Sequence, residues 1–296
     1  MSTTLKVGLI GAGVMGSAIG ARLLASGCTL AFFDPSPAAG AELLAAGAVR
    51  AANGAEAAQG AQFVITSLNS AQVVEQAVFG PQGVAEGGSS GALLIDMSSI
   101  DPARTAAMAA RLADTCGMRW VDAPLSGGAP AAREGTLTLM LGGDVADVAA
   151  AEPLLALLSA RRTHMGPVGA GQTVKLVNQI LCAANFLAVA EAVRFAEANG
   201  IDATLIPAAL AGGRADSRIL QEFMGKMAQR DYSPTGRIDN MLKDLETVQA
   251  CALAGRTPMP LTGLVAELHR MAVAGGLGPA DSAEYMRLFD LGKGGR

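Results

Sequence analysis

The chain has 296 residues, of which 51% are hydrophobic and 16% charged, and its formal net charge is −4. This length allows one large or two ordinary domains with real cores. The slightly acidic balance argues against nucleic-acid partners and against binding to an anionic membrane. Polar residues interrupt every long apolar run, and the first strand begins so early that we expect neither a membrane span nor a signal peptide.

Cysteine and histidine are scarce and scattered. The only two histidines lie far apart, so we expect no metal site and no proton relay built on histidine. The cysteines have no CxxC spacing, which favours reduced thiols and a cytoplasmic location. They are Cys28, Cys116, Cys182 and Cys251.

The first half of the chain alternates short apolar runs with alanine-rich helical stretches, which is typical of βαβ units. Successive units of this kind build a parallel sheet with helices on both faces. We therefore predict an α/β Rossmann domain with a mostly parallel, doubly wound sheet. Its predicted strands are residues 6–11, 29–33, 62–67, 92–96, 119–123, 136–141 and about 162–165.

The turn after the first strand has the spacing Gly11-x-Gly13-x-x-Gly16 and leads into a predicted helix. The first glycine permits a tight turn, the second lets a pyrophosphate approach the backbone, and the third lets helix and strand pack closely. The helix N-terminus offers N–H donors and partial positive charge to phosphates. We predict a cofactor-binding loop made of Gly11, Ala12, Gly13, Val14, Met15 and Gly16.

Asp34 ends the second predicted strand, 18 residues after Gly16, which is close to the spacing of about 20 for a ribose-binding acid. Its carboxylate would accept hydrogen bonds from the ribose hydroxyls and would repel a 2′-phosphate. No arginine follows at Pro35 or Ser36 to neutralise such a phosphate. The predicted cofactor is therefore NAD. The alternative is that Asp34 only begins a turn.

Short segments follow the next two predicted strands. Leu68 and Asn69 come after residues 62–67, and Ser98 and Ser99 come after residues 92–96. Ligands of open α/β sheets collect at the carboxyl ends of the strands, so we expect these residues to contact the cofactor. For Ser99, capping of the following helix is an equal alternative.

The strand pattern stops near residues 166–171, where glycine and proline punctuate the chain. We predict a first domain of residues 1–168 and an all-α domain of residues 169–296, entered by a long helix at about 172–199. That helix is apolar on most faces, so we expect a second subunit to cover part of it in a homodimer or homotetramer. Further helices are predicted at about 203–212, 216–229, 238–254, 260–275 and 281–291, with a frayed end at 292–296.

Two lysines are candidates for chemistry. Lys175 lies near the start of the long helix, where burial and the helix dipole disfavour the cation and so suit proton transfer near neutral pH. Asn178 follows one turn later on the same face. A lysine that merely extends to solvent is the simpler alternative for Lys175. Lys243 could reach a nicotinamide or pair with Asp239 or Asp244, and the sequence favours neither.

A serine and two glycines, Ser126, Gly127 and Gly128, follow the strand predicted at 119–123. Two glycines after a serine allow backbone N–H groups to converge on an anion beside the hydroxyl. A substrate carboxylate would fit there. The alternative is a turn that only reverses the chain.

Four motifs, in their order and spacing, resemble the β-hydroxyacid dehydrogenase family over essentially the whole chain. They are Gly11-x-Gly13-x-x-Gly16, Asp122-Ala123-Pro124-Leu125-Ser126-Gly127-Gly128, Gly169-x-Gly171-x-x-x-Lys175-x-x-Asn178 and Lys243-Asp244-Leu245. The resemblance implies that Lys175 is the catalytic acid/base and that Asn178 supports it. It also implies a carboxylate site at Ser126, Gly127 and Gly128, and cofactor contacts from Ser99 and Lys243.

The same resemblance implies an oxidoreductase that interconverts a short 3-oxo acid and its β-hydroxyacid with NAD. Four further segments resemble the members of the family that interconvert tartronate semialdehyde and D-glycerate, and the resemblance therefore implies this pair. They are Asp96-Met97-Ser98-Ser99-Ile100, Gly236-Arg237-Ile238-Asp239, Pro260-Leu261-Thr262 and Gly276-Leu277-Gly278-x-Ala280-Asp281. Oxidation of 3-hydroxyisobutyrate or L-serine is an alternative. A redox sensor that binds the nucleotide without catalysis is a second alternative, although a sensor needs neither Lys175 nor Asn178.

Overall fold

A computed structural model describes residues 4–289 of the chain. Its strands are short, and most are buried on both faces, as the apolar runs in the sequence predict. The strands are β1 (Lys6–Ile10), β2 (Thr29–Phe33), β3 (Val49–Arg50), β4 (Phe63–Thr66), β5 (Leu93–Asp96), β6 (Arg119–Asp122), β7 (Leu125–Ser126), β8 (Leu137–Gly142) and β9 (Ser159–Gly166).

Within the described residues these nine strands form one sheet in the order β3-β2-β1-β4-β5-β6-β8-β7, with β9 paired to β8. The run from β3 to β6 is parallel throughout. Strand β8 runs antiparallel to both β6 and β7 and parallel to β9. The strand order reverses direction between β1 and β4, which is the topological switch point of the sheet. Open α/β sheets bind their ligands at such a point. The predicted Rossmann-type fold is therefore confirmed.

Helices cover both faces of this sheet. One apolar core lies against α1, α7 and α8, and another lies against α3, α4, α5 and α6. In the central strand β5, alternate residues point into one core or the other, as Ile95 and Leu94 do. The helices are α1 (Val14–Ala25), α2 (Ala41–Ala45), α3 (Gly54–Ala58), α4 (Ala71–Phe79), α5 (Val84–Gly87), α6 (Pro102–Cys116), α7 (Gly128–Glu134) and α8 (Val145–Leu158).

All seven predicted strands are present, and two more were missed. The missed strands, β3 and β7, have two residues each. Two residues are too few for an alternation of apolar and polar side chains to be recognised. Strand β7 contains Ser126, so this predicted substrate-binding residue lies in a paired strand opposite Thr138 and not in an open turn.

The later part of the chain is helical, as predicted, and has its own apolar core. The long helix predicted at 172–199 is α9 (Ala170–Ala198). The segment predicted at 203–212 divides into a 3-10 turn (Ala203–Leu205) and a helix, α10 (Ile206–Leu210). The segment predicted at 260–275 forms α13 (Pro260–Ala272), which is followed by a π-type turn (Val273–Leu277). The helices between them are α11 (Arg218–Gln229) and α12 (Ile238–Ala254).

The helix predicted at 281–291 is a 3-10 helix, Ser282–Leu288, and its predicted end lies outside the described residues, as does the predicted frayed segment 292–296. The chain divides into two compact units after Lys175. The domain boundary expected after residue 168 stays a prediction. Helix α9 is long and apolar enough to span a membrane by length and composition, but a mostly buried core helix of a soluble protein passes the same test.

Candidate functional site

The three glycines of the loop after β1 meet three different physical demands. Gly11 has φ +94°, and a Cβ there would lie 2.5 Å from the carbonyl oxygen of Ser67. A Cβ at Gly16 would lie 1.9 Å from the carbonyl oxygen of Gly11, so the helix packs directly on the turn. A Cβ at Gly13 would meet nothing within 4 Å. The backbone at Gly13 therefore faces open space at the N-terminus of α1, where a phosphate can approach.

Asp34 lies beside this loop at the carboxyl end of β2. Its Oδ2 atom accepts a hydrogen bond of 2.8 Å from the backbone N–H of Ala12, and its Oδ1 atom accepts one of 2.8 Å from Ser36. Asp34 thus begins the turn, as the alternative interpretation held, and also contacts the glycine loop. The two interpretations are compatible because each carboxylate oxygen can accept more than one hydrogen bond.

The glycine loop, Asp34 and the segment after β4 line a single cavity of about 530 Å³. Of the predicted cofactor-binding residues, Gly11, Gly13, Asp34, Leu68 and Asn69 line it. Sequence reasoning missed the part of the lining that follows β3, namely Ala52, Asn53 and Gly54, because it missed the strand itself. Recognition of β3 would have identified these residues, because they follow the carboxyl end of a strand, as the segments after β1, β2 and β4 do.

Ser98 and Ser99 have different surroundings. Ser98 is buried, and its hydroxyl accepts a hydrogen bond of 3.0 Å from the backbone N–H of Leu68. It therefore supports the cavity wall. The cap of α6 is Asp101, whose side chain accepts a hydrogen bond from the N–H of Arg104, so the capping role considered for Ser99 belongs to Asp101. Ser99 is partly exposed, and its contact with the cofactor stays a prediction.

Two buried carboxylates, which sequence reasoning missed, stand side by side at the carboxyl edge of the sheet. Asp96 ends β5, Asp122 ends β6, and the two residues are paired in register. Asp122 accepts hydrogen bonds from the backbone N–H groups of Gly169 (2.7 Å) and Gln172 (2.9 Å). It therefore satisfies N–H groups at the start of α9, which have no acceptor within the helix.

Asp96 is fully buried. Its Oδ1 atom accepts hydrogen bonds from the hydroxyl of Thr66 (2.8 Å) and the backbone N–H of Ser98 (3.0 Å). Burial raises the pKa of Asp96 from 3.8 to about 6, although hydrogen bonds from Ser98 and Thr66 oppose the shift, and the charge of Asp122 adds to it. Burial also raises the pKa of Asp122, against the hydrogen bonds from Gly169 and Gln172.

Gln172 ties the start of α9 to the end of β5. Its Nε2 atom donates to the carbonyl oxygen of Ser98 at 2.8 Å, and its Oε1 atom accepts from the N–H of Ile100 at 3.1 Å. Lys175 follows one helical turn later and is 8% exposed. The helix that carries Lys175 therefore begins at the same edge of the sheet as the cavity.

The remaining predicted residues lie as follows. Gly127 and Gly128 have φ of +126° and +69°, are exposed, and form the start of α7. Asn178 is half-buried and donates from Nδ2 to Oε1 of Gln179 at 2.8 Å. Lys243 forms an ion pair with Asp244, with Nζ and Oδ1 3.0 Å apart. The roles of these residues toward a ligand stay predictions.

The doubly wound sheet, the glycine loop at a helix N-terminus and the acid after β2 define a nucleotide-binding oxidoreductase fold. Residues 6–166 match the NAD-binding domain of 6-phosphogluconate dehydrogenase, and residues 169–289 match the family described as NAD-binding of NADP-dependent 3-hydroxyisobutyrate dehydrogenase. The chain belongs to the β-hydroxyacid dehydrogenase family, and its cofactor is NAD.

Several relatives resemble the chain over nearly its whole length. It is 35% identical to 2-hydroxy-3-oxopropionate reductase of Escherichia coli, covering 97% of this chain and 98% of the relative. It is 33% identical to NAD-dependent L-serine dehydrogenase of Pseudomonas aeruginosa, covering 98% and 99%. A structure of Mycobacterium tuberculosis 3-hydroxyisobutyrate dehydrogenase with L-serine aligns with a TM-score of 0.88 at 27% identity, over 97% of this chain and 100% of that one.

The residues around the cavity fit this cofactor. The open approach to the Gly13 backbone gives a pyrophosphate room, and the exposed part of the Asp34 carboxylate offers acceptors to ribose hydroxyls. Among residues 4–289, no three histidine, cysteine or acidic side chains cluster as metal ligands.

Proposed function

We propose that this dehydrogenase interconverts tartronate semialdehyde and D-glycerate with NAD(H). The observation that carries the proposal is the buried Lys175, one turn beyond Gln172 at the sheet edge where the dinucleotide cavity opens. The choice of substrate is supported by the similarity to 2-hydroxy-3-oxopropionate reductase over nearly the whole of both chains.

The bound nicotinamide supplies a hydride to the carbonyl carbon during reduction and accepts one from the carbinol carbon during oxidation. In the proposed mechanism, Lys175 Nζ donates a proton to the carbonyl oxygen as it becomes an alcohol, and takes the proton back in the reverse reaction. Because Lys175 is buried, little bulk water competes with it for this proton. Asn178, on the same face of α9, supports Lys175.

The substrate carboxylate is assigned to Ser126, Gly127 and Gly128. Two successive residues with positive φ turn the backbone at the start of α7, and such turns can direct neighbouring N–H groups toward an anion. The cofactor residues in this proposal are Gly11, Ala12, Gly13, Val14, Met15, Gly16, Asp34, Leu68, Asn69, Ser99 and Lys243.

A second candidate is oxidation of L-serine or 3-hydroxyisobutyrate. The similarity to the Pseudomonas L-serine dehydrogenase favours it, since that relative is nearly as similar as the reductase. The chemistry at Lys175 would be the same, and only the side chains around the substrate would select the acid.

We propose further that the protein works in the cytoplasm as a homodimer or homotetramer. Several large apolar side chains of the helical unit are exposed, which a second subunit would cover. On α9 these are Val177, Leu181 and Phe195, which are 50%, 59% and 74% exposed.

The test combines a substrate panel with two substitutions of Lys175. We expect the highest kcat/KM for tartronate semialdehyde with NADH, and a higher value for L-serine or 3-hydroxyisobutyrate with NAD would replace the proposed substrate. Lys175→Ala and Lys175→Arg should each lower kcat by about 10²-fold or more, because neither side chain can exchange a proton near pH 7. NADH affinity should stay nearly unchanged.

The matched control is Lys6→Arg, which alters an exposed lysine at the start of β1 and should leave kcat unchanged. If Lys175→Arg kept more than about a tenth of the wild-type kcat, Lys175 could not be the proton donor, and only an electrostatic role would remain for it.

A further inference from the structure

A series of polar contacts within the helical unit links Asn178 to Lys243, and the proposed function gives a role to both residues. Asn178 Nδ2 donates to Gln179 Oε1 at 2.8 Å, and Gln179 Nε2 donates to Asp244 Oδ2 at 2.6 Å. The other oxygen of Asp244 pairs with Lys243 Nζ at 3.0 Å. Gln179 and Asp244, the two middle members, are 8% and 6% exposed.

The Asp244 carboxylate fixes the direction of both amide hydrogen bonds in this series of contacts. Carboxylate oxygens accept hydrogen bonds, so Gln179 turns its NH₂ group toward Asp244. The carbonyl oxygen of Gln179 then faces Asn178, which must donate from its own NH₂ group. The amide oxygen of Asn178 is thereby left as an acceptor, on a residue that lies three positions after Lys175 in α9.

Both ends of the series gain from this arrangement. At one end, an acceptor at Asn178 suits an ammonium or a hydroxyl group, both of which donate hydrogen bonds. At the other end, the Asp244 carboxylate restrains the Lys243 ammonium, whose long side chain would otherwise sample many rotamers. The low exposure of Gln179 and Asp244 strengthens the contacts, because water competes with them little.

We propose that Asp244 and Gln179 are positioning residues: Asp244, acting through Gln179, sets the orientation of the Asn178 amide and at the same time holds the Lys243 ammonium. The inference rests on the proposed function, in which Asn178 supports the acid/base and Lys243 contacts the cofactor. Neither Asp244 nor Gln179 needs to touch substrate or cofactor for this role.

The test is a double-mutant cycle between Asp244→Asn and Asn178→Ala, with Gln179→Met as a variant that interrupts the contacts while keeping the shape of the side chain. Asp244→Asn removes the fixed direction, since an asparagine can present either a donor or an acceptor to Gln179. We expect it to lower kcat by about tenfold in the wild-type background, within the range for coupled neighbours, and by much less when Asn178 is already alanine. Gln179→Met should lower kcat as much as Asp244→Asn, while the KM for NADH should rise only in the Asp244 variant.

Glu246→Gln is the matched control. It removes a carboxylate from the same helix, but Glu246 is exposed and its partner is Arg270. This variant should change neither kcat nor the KM for NADH. Equal losses of kcat from Asp244→Asn in both Asn178 backgrounds would overturn the inference, because Asp244 would then not act through Asn178.

A readout without catalysis separates this inference from the proposed function. The side-chain NH₂ signals of Asn178 and Gln179, assigned in a ¹⁵N-correlated NMR spectrum from the Asn178→Ala and Gln179→Met variants, should both shift in Asp244→Asn and neither should shift in Glu246→Gln. If they shift but no β-hydroxyacid is turned over, the contacts hold and the proposed function fails. If only the Gln179 signal shifts, the orientation of Asn178 does not depend on Asp244 and the inference fails.

Discussion

Replacing Asp96 by asparagine should remove one contribution to the pH dependence of the protein's stability, namely that of the Asp96 carboxyl group. Burial raises the pKa of Asp96 from 3.8 to about 6. The folded state therefore binds this proton more tightly than the unfolded state does. The resulting stabilisation is complete below pH 3.8 and is lost as the pH rises through about 6. A shift of this size corresponds to about 3 kcal/mol in all.

Asparagine removes the titration and keeps an oxygen that can accept from Thr66 and Ser98 at the position of Oδ1. The free energy of unfolding of Asp96→Asn, relative to wild type, should therefore increase with pH. We expect an increase of about 1 kcal/mol between pH 5 and pH 6 and less than half of that between pH 6 and pH 8. The assay is urea unfolding followed by the fluorescence of Trp120, the only tryptophan, which is buried on β6 opposite Leu94 of β5.

Asp202→Asn is the control because the pKa of Asp202 is lowered by hydrogen bonds from Thr204, first from its side chain and then from its backbone N–H. The stability from Asp202 is present above its unfolded pKa and is lost only as the pH falls below it. The difference between Asp202→Asn and wild type should thus stay constant from pH 5 to pH 8. A constant difference for Asp96→Asn as well would show that Asp96 titrates at an ordinary value, and the reasoning from its burial would be wrong.

Two other predictions concern the cofactor cavity. Asp34→Ser combined with Pro35→Arg should shift the ratio of kcat/KM values from NADH toward NADPH by about tenfold or more. The double substitution replaces a charge that repels a 2′-phosphate with one that binds it. A wild-type enzyme that prefers NADPH would contradict the role of Asp34. Gly13→Ala should weaken NADH binding without lowering Tm, because its Cβ would enter open space, whereas Gly16→Ala should lower Tm, because its Cβ would lie 1.9 Å from the Gly11 carbonyl oxygen. Equal changes of Tm in the two glycine variants would contradict the assignment of Gly13 to cofactor binding and Gly16 to packing.

The sequence was sufficient for the fold because the signals of the fold are local. The strands from β1 to β5, apart from β3, are apolar runs, and the glycine loop lies between one such run and a helix, so β1, α1 and β2 could be predicted with Asp34 at the correct end. Strand β3 has no comparable signal, and the cavity residues that follow it were missed with it. The helical unit was predicted in outline, but two breaks within it were not: Pro207 lies at the start of α10, and Gly276, with φ +88°, lies in the turn after α13.

The polar network behind the site could not be predicted, because its partners are distant in sequence. Asp122 accepts from N–H groups 47 and 50 residues further along the chain, and Gln172 donates to an oxygen 74 residues before it. Only the pairing of β5 with β6 brings Asp96 and Asp122 together, and no pattern within either strand shows that a helix will begin above them.

Hydrogen bonds explain how the protein can keep the two carboxyl groups in its interior. A carboxylate in an apolar interior is costly unless hydrogen bonds compensate it. Asp122 obtains that compensation from the first N–H groups of α9, which themselves need acceptors, so each group satisfies the other. The contact fixes where α9 begins and thereby the height of Lys175 above the sheet. A carboxylate with no direct part in the proposed chemistry thus helps to determine where the proposed proton donor lies. Glycine is needed at position 171 beside it, because a Cβ there would lie 2.4 Å from the carbonyl oxygen of Met140 and 2.8 Å from Asp122 Oδ2.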